Sequence, residues 1–216
     1  MRASGDDLLV QVLERRARAR HGALVAGVDE AGRGPLAGPV LVGAVVLPAD
    51  LPGVGDLADS KLLSAAERER LARWVRRVAL GWALWRVGPR AIDGRGIAWA
   101  VRHAMVEAVR SLPLAPGAVL VDGPVAPAPP GTAGLAVVDG DRICASVMAA
   151  AILAKTARDR EMLRWNRLLP GYAFDRHKGY ATAQHLEALA RIGPSPIHRQ
   201  SFLGGLRPVG AETGRG

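Results

Sequence analysis

The sequence predicts an α/β fold with a central mixed sheet of five strands flanked by helices. Three observations carry that expectation. Five short apolar runs alternate with longer stretches of helical periodicity, the pattern of layered α/β domains. The first two runs are joined by a short glycine–proline turn, which makes them antiparallel neighbours; helical stretches between later runs allow parallel pairing. Finally, 49% of the 216 residues are hydrophobic and 4% aromatic, so Ala, Val and Leu supply the core of one domain.

Taken in order, residues 6–20 read as a helix with Leu8, Leu9, Val12 and Leu13 on one side of a basic segment, a loosely docked extension. Residues 24–29 and 39–47 read as strands rich in β-branched side chains. Ser64 followed by Glu67 has capping-box spacing, and Leu71, Trp74, Val75 and Val78 give the helix that follows an apolar face. Residues 80–88 read as the third strand, and a helical pattern over 89–111 is interrupted by Gly94 and Gly96. The fourth run, 118–121, ends in Asp122-Gly123, and a proline-rich loop spans 124–130. The fifth, 135–138, ends in Asp139-Gly140-Asp141, before helices over 143–165 and 181–192. Trp74, Trp82, Trp85, Trp99 and Trp165 fall at core-like spacing and are assigned to packing. The domain is expected over 23–206, after a helical extension over 1–22 and before a disordered tail over 207–216.

The formal charge of +9 favours a polyanionic partner and salt-dependent association. Arginine carries nearly all of it, since Lys61, Lys155 and Lys178 are the only lysines. A single cysteine, Cys144, excludes an internal disulfide and fits a reducing compartment. No apolar run reaches the ~18 residues that would span a membrane, and residues 1–7 carry two aspartates where a secretory leader carries positive charge. A soluble cytoplasmic monomer is expected.

The chemistry concentrates where an apolar run meets Asp29-Glu30-Ala31-Gly32-Arg33-Gly34-Pro35. A buried ionised carboxylate is costly unless it is paired or binds a cation. An ordinary strand end running into a turn is the plain alternative for acid followed by glycine. A nucleotide loop is set aside, because no GxxxxGK[ST] follows and the glycines open onto proline. Asp29, Asp122 and either Asp139 or Asp141 all end strand-like runs, and open α/β sheets gather ligands beyond the carboxyl ends of their parallel strands. Neighbouring strand residues face opposite ways, so Asp29 and Glu30 share a cation only where the strand breaks, which Gly32 makes possible. Oxygen donors without a His or Cys cluster point to Mg²⁺ or Mn²⁺ rather than zinc, and two such ions suit phosphodiester hydrolysis. Asp159 lies eighteen residues beyond Asp141, about 27 Å along a helix, and is excluded from the same site. Lys61, Lys155, Arg158 and Lys178 are candidate phosphate contacts, with a solvated surface role the alternative for Arg158. His177 either assists product release or orients water, or makes a structural hydrogen bond.

Several segments together resemble bacterial type 2 ribonuclease H, ribonuclease HII. They are the run from Gly27 through Asp29-Glu30-Ala31-Gly32-Arg33-Gly34 to Val40, Asp59-Ser60-Lys61, Val121-Asp122-Gly123, the run from Ala149 to Lys155 with Arg158-Asp159, and His177-Lys178-Gly179-Tyr180. The resemblance covers residues 24–203 and implies a ribonuclease H-like fold. It implies an endonuclease that hydrolyses the RNA strand of RNA/DNA hybrids and cuts 5′ to single ribonucleotides embedded in duplex DNA. A two-metal mechanism leaving 3′-hydroxyl and 5′-phosphate ends is implied, with roles in ribonucleotide excision repair and RNA primer removal. Asp29, Glu30, Asp122 and Asp141 then take the metal-binding and catalytic positions. Gly32, Arg33 and Gly34 contact the nucleotides around the cut and sense the 2′-hydroxyl, and Tyr180 senses the junction with DNA. Lys61, Lys155 and Lys178 complete the substrate contacts. The chain departs from the family pattern at Asp139, where lysine is usual and an acid competes for metal, and at Leu62, Gly96 and Ala151. His198-Arg199 also matches, without an assigned role. A non-catalytic hybrid-binding module and a structure-specific resolvase are the readings from other classes.

Overall fold

The structure, a computed structural model, describes residues 11–57 and 64–204. After helix α1 (Val12–His21), the strands are β1 (Val25–Ala31), β2 (Val40–Val46), β3 (Gly81–Val87), β4 (Ala118–Asp122) and β5 (Ala133–Val137), in sheet order β3-β2-β1-β4-β5. The closely connected pair β1–β2 is antiparallel, and so is β2–β3 although helix α2 (Ala65–Val78) lies between those strands; β1–β4 and β4–β5 are parallel. The sheet is mixed and five-stranded as expected, but the antiparallel β2–β3 pairing across a helix was not implied by the spacing of the runs.

Helices α2, α3 (Pro89–Arg95), α4 (Ile97–Arg110), α5 (Gly140–Ile143) and α6 (Ala145–Leu168) flank this sheet. Strand β2 is buried along its whole length because both of its faces are covered. On one face Val28, Val42 and Ala44 pack with Ala100, Ala104 and Ala108 of α4. On the other, Val45 packs with α2 and with the Ala-rich first half of α6. Glycines bring α6 into backbone contact with the sheet. A Cβ at Gly27 would lie 2.1 Å from the Ser146 carbonyl carbon, and one at Gly43 would lie 2.5 Å from the Ala150 carbonyl oxygen. That close approach carries Ile152 and Lys155 of α6 past the end of β1, where the acids are.

The described residues end in short helices α7 (Phe174–His177), α8 (Ala183–Ile192) and α9 (Gln200–Leu203). The first two of these, with Met162 of α6, form a small satellite core around Tyr172, Phe174 and Ile197, whereas Phe202 of α9 packs against the main core.

Local signals explain most boundaries. The capping box forms, with the Glu67 N–H donating to Ser64 Oγ at 3.3 Å and the Ser64 N–H donating to Glu67 Oε2 at 2.9 Å. The long helical pattern over 89–111 splits at Gly96, whose φ of +81° suits glycine at the junction of α3 and α4. Cys144 is buried and stands just before α6 rather than inside it, and burial pushes its thiol up.

Two expectations are corrected. Helix α1 docks firmly, and by polar atoms as much as by an apolar stripe. Glu14 and Ala17 are buried, Val12 is exposed, and Glu14 Oε1 accepts hydrogen bonds from Ser146 N at 2.9 Å and Ser146 Oγ at 3.0 Å. A carboxylate thus meets the positive end of the α6 dipole. Trp82 is not a core residue; it stands exposed on the edge strand with the Arg76 guanidinium 5.4 Å from its ring centre. Leu8, Leu9, the Asp59-Ser60-Lys61 segment, Leu62 and the tail over 207–216 lie outside the described residues. Among the described residues no helix is long and apolar enough to cross a membrane.

Candidate active site

The acids gather where the parallel half of the sheet ends. Antiparallel pairing of β1 with β2 continues to Ala31, but its parallel pairing with β4 stops at Val28. The strand therefore parts from β4 first, on the side of Asp122, and ends altogether at Gly32, where the glycine predicted a break. Alternation directs Asp29 towards α6 and Glu30 towards α4. Accordingly Asp29 lines a groove with Asp141, Lys155 and Tyr180, whereas Asp122 lines an adjoining one with Arg33 and Arg102. Glu30 lies on the wall of both.

Electrostatics couples the four. Asp29 is 7% exposed, and its carboxyl is held well above the usual range by burial first, then by Glu30, Asp122 and Asp141. Burial also raises Glu30, which Arg33 partly offsets at 3.7 Å. One oxygen of Asp122 accepts from the Gly140 N–H at 2.8 Å, which ties the end of β4 to α5. Asp141 is half-buried, while its neighbour Asp139 is exposed in a left-handed conformation at φ +55°. Among the described residues no three acidic, His or Cys side chains are already drawn into a finished metal cage. The donors nevertheless fit a hard divalent ion. They are all carboxylate oxygens, and a cation among them would relieve the repulsion that raises Asp29.

The glycine loop is held from beneath by two arginines with no exposed surface, Arg158 and Arg199. Arg158 was a candidate phosphate contact or solvated surface group, and it is neither. Its Nε donates to Pro39 O at 3.1 Å, and its Nη2 donates to Ala37 O at 3.2 Å and Lys178 O at 2.9 Å. It supports Tyr180 as well, with the guanidinium carbon 5.7 Å from the ring centre. Tyr180 itself is 44% exposed and faces the groove.

The lysines divide. Lys155 lines the groove and pairs with Asp159 at 2.7 Å, and Asp159 also meets Arg68 at 3.3 Å. Asp159 stays outside the acid cluster as expected, though Asp141 stands in α5 before the extended Cys144 rather than on the same helix. Lys178 lines a separate cleft with Arg68 and Asp159, and its ammonium donates to the Asp175 carbonyl. Lys61 lies outside the described residues. Arg68 and Arg102 on the groove walls went unremarked in the sequence, because arginine on a helix reads only as a polar face.

His177 has a structural role. Its Nε2 lies 2.8 Å from Tyr172 O and its Nδ1 accepts from the Gly179 N–H at 3.1 Å. Beside it runs a buried relay in which Ser195 N–H donates to His198 Nδ1 at 2.9 Å, His198 Nε2 meets His185 Nε2 at 2.9 Å, and His185 Nδ1 meets Tyr180 O at 2.9 Å. These partners assign the proton between the rings to His198, with both imidazoles neutral. Burial, then His185, lowers His198 to about 4 from its ordinary 6.5. Above pH 6.5 the ring is neutral folded or unfolded; as pH falls towards 4 the unfolded chain binds the proton first and stability is lost. We expect the melting temperature to drop on the order of 5 °C between pH 7 and pH 4.5, and less in His198→Asn. Equal slopes for the two proteins in thermal melts would contradict this.

Comparison with known proteins accords with this arrangement. The ribonuclease HII family profile matches residues 26–204. The chain is 50% identical over 183 residues to ribonuclease HII of Thermus thermophilus, covering 85% of this chain and 88% of that one. It is 48% identical over 179 residues to ribonuclease HII of Idiomarina loihiensis, covering 83% and 95%. The crystal structure of ribonuclease H2 from Pyrococcus horikoshii superposes with a TM-score of 0.70 at 28% identity, covering 82% of this chain and 93% of that one. With most of its length matched by the family profile and by relatives about half identical to it, the chain belongs to the ribonuclease HII family, endoribonucleases that degrade the RNA of RNA/DNA hybrids.

Proposed function

We propose that the protein cuts the ribonucleotide-containing strand on the 5′ side of a ribonucleotide, including a single one embedded in duplex DNA, and leaves 3′-hydroxyl and 5′-phosphate ends. The observation that carries this reading is the junction of the acid cluster with the glycine loop, exposed at Arg33 and Gly34, and with the exposed Tyr180. The family is divalent-metal dependent. Asp29, Glu30, Asp122 and Asp141 would hold two Mg²⁺ or Mn²⁺ ions. When bound, such ions supply a more acidic water and charge stabilisation for the attacking and leaving oxygens. Gly32, Arg33 and Gly34 present main chain to the sugar edge, where the 2′-hydroxyl distinguishes RNA from DNA. Arg33, Lys155 and Arg102 line the groove walls for phosphate contacts. A role in removing ribonucleotides and RNA primers from DNA follows from that substrate choice. Incubation with a duplex carrying one ribonucleotide, with both product ends mapped, tests the reading. Cutting on the 3′ side, or of RNA-free branched DNA instead, would overturn it.

The two glycines separate fold from function. Gly32 has φ +95°, and a Cβ there would lie 2.0 Å from Arg158 Nε. Gly34 has no positive φ, and a Cβ there meets nothing within 4 Å. The fold gives no reason for glycine at 34, and close approach of the substrate does. Gly34→Ala should keep its melting temperature within about 2 °C and cleave at least about tenfold more slowly, whereas Gly32→Ala should be destabilised by about 2 kcal/mol or more. Wild-type cleavage by Gly34→Ala would remove the loop from the substrate interface.

A further inference from the structure

We propose that Arg199 is a positioning residue for ribonucleotide recognition: by drawing the carbonyls of Gly32 and Arg33 inwards, it turns the amide N–H groups of Arg33 and Gly34 towards the substrate. The proposal deepens the reading of the glycine loop given above and rests on it. Arg199 is fully buried, yet its guanidinium is directed at the backbone of one loop. Nη2 donates to Gly32 O at 2.6 Å, Nη1 to Arg33 O at 2.9 Å and Nε to Gly38 O at 3.0 Å.

Peptide planarity supplies the next step. In a trans peptide the C=O and the following N–H point in opposite directions, and none of the described bonds is cis. With the Gly32 and Arg33 carbonyls fixed inwards, the N–H groups of Arg33 and Gly34 face out, at two residues that are both exposed. Two successive outward amides form a small donor concavity suited to a phosphate or hydroxyl oxygen. The opposite side of the loop is fixed too, because Gly32 packs against Arg158 and allows it no retreat. The backbone of Arg199 is anchored in turn, its N–H donating to Leu36 O at 2.8 Å. Lysine cannot take over this task. A single ammonium lacks the planar fork that reaches three carbonyls in a fixed relation.

The test compares two duplexes that differ only in carrying a ribonucleotide or a deoxyribonucleotide at one position, with dissociation constants measured without divalent ions so that the strands stay whole. The wild-type protein should prefer the ribonucleotide duplex. Arg199→Lys should lose about tenfold of that preference, the equivalent of losing one to two well-aimed hydrogen bonds, while its affinity for all-DNA duplex stays within about twofold. A general loss of folded protein would weaken both duplexes alike and leave the ratio untouched. If the wild-type protein shows no preference, the functional reading of the loop fails and the proposal with it. If the wild-type protein does prefer ribonucleotide and folded Arg199→Lys keeps the full preference, the proposal alone is overturned. Should Arg199→Lys not fold, amide hydrogen exchange on the wild-type protein decides. The Arg33 and Gly34 amides should exchange freely alone and slow down on the ribonucleotide duplex; protection of both in the free protein would overturn the assignment.

Discussion

Asp29→Asn is expected to lower cleavage by about 10³-fold or more while leaving the melting temperature unchanged or about 2–4 °C higher. The two effects share one cause. Asp29 is buried beside three other carboxylates, and its raised pKa means that its ionised form works against the fold near neutral pH. Asparagine keeps the oxygen that accepts the Glu30 N–H at 2.7 Å and removes the charge. The fold is relieved, but an anionic ligand for a divalent cation is lost, which is the usual opposition between a strained site and stability. Titrating Mn²⁺ during thermal melts separates the roles. The ion should raise the wild-type melting temperature by linkage, and Asp29→Asn should lose most of that rise. Asp122→Asn should behave alike in cleavage. At the fourth position Asp141→Asn should be far more damaging than Asp139→Asn, since Asp141 lines the groove and adds to the field on Asp29 while Asp139 is exposed. Wild-type turnover by Asp29→Asn, or the reverse order at 139 and 141, would sink the ligand assignment.

Sequence legibility followed the range of the interactions involved. The strands could be read because β-branched runs and the Gly-Pro turn act locally, and the capping box at Ser64 spans only three residues. The break at Gly96 was legible for the same reason. What could not be read depends on partners far away in the chain. Glu14 docks α1 through Ser146, 132 positions distant, so the docking face looked like solvent-exposed polar sequence. Arg158 looked like a surface or phosphate-binding residue because hydropathy carries no sign of the Pro39 carbonyl 119 positions away. Arg199 reaches Gly32 across 167 positions, and nothing in its own neighbourhood marks it as buried. The acids were legible as a set, since each stands at or just beyond an apolar run. Only Asp122 closes its strand, while Asp29 and Glu30 lie within β1 and Asp141 in α5. The opposite facing of Asp29 and Glu30 was legible from strand alternation; that β1 leaves β4 after Val28, beside Asp122, was not.

Tyr180→Ala is expected to slow cleavage beside a single embedded ribonucleotide by about 10–100-fold, the range for losing one aromatic contact with a nucleotide. Its ring is the exposed part of an otherwise fixed segment. The Tyr180 carbonyl is held by His185, its N–H donates to His177 O at 2.9 Å, and Arg158 lies beneath the ring while donating to the adjoining Lys178 carbonyl. An aromatic side chain mounted so rigidly loses little further entropy when a sugar packs against it. A deoxyribose lacks the 2′-hydroxyl and so presents the more apolar face, which explains why a ring here would favour DNA beyond the ribonucleotide. Because the proposed contact uses that face, Tyr180→Phe should keep most of the activity. Truncation should also harm a continuous RNA/DNA hybrid less than a lone ribonucleotide, since in the hybrid the neighbouring sugar carries the hydroxyl. The ring is 44% exposed, so Tyr180→Ala should melt close to the wild-type protein. Rates on both substrates, measured beside thermal melts, check all three statements. A stable Tyr180→Ala that cleaves the single-ribonucleotide duplex at the wild-type rate would remove the tyrosine from junction recognition and leave it only packing against Arg158.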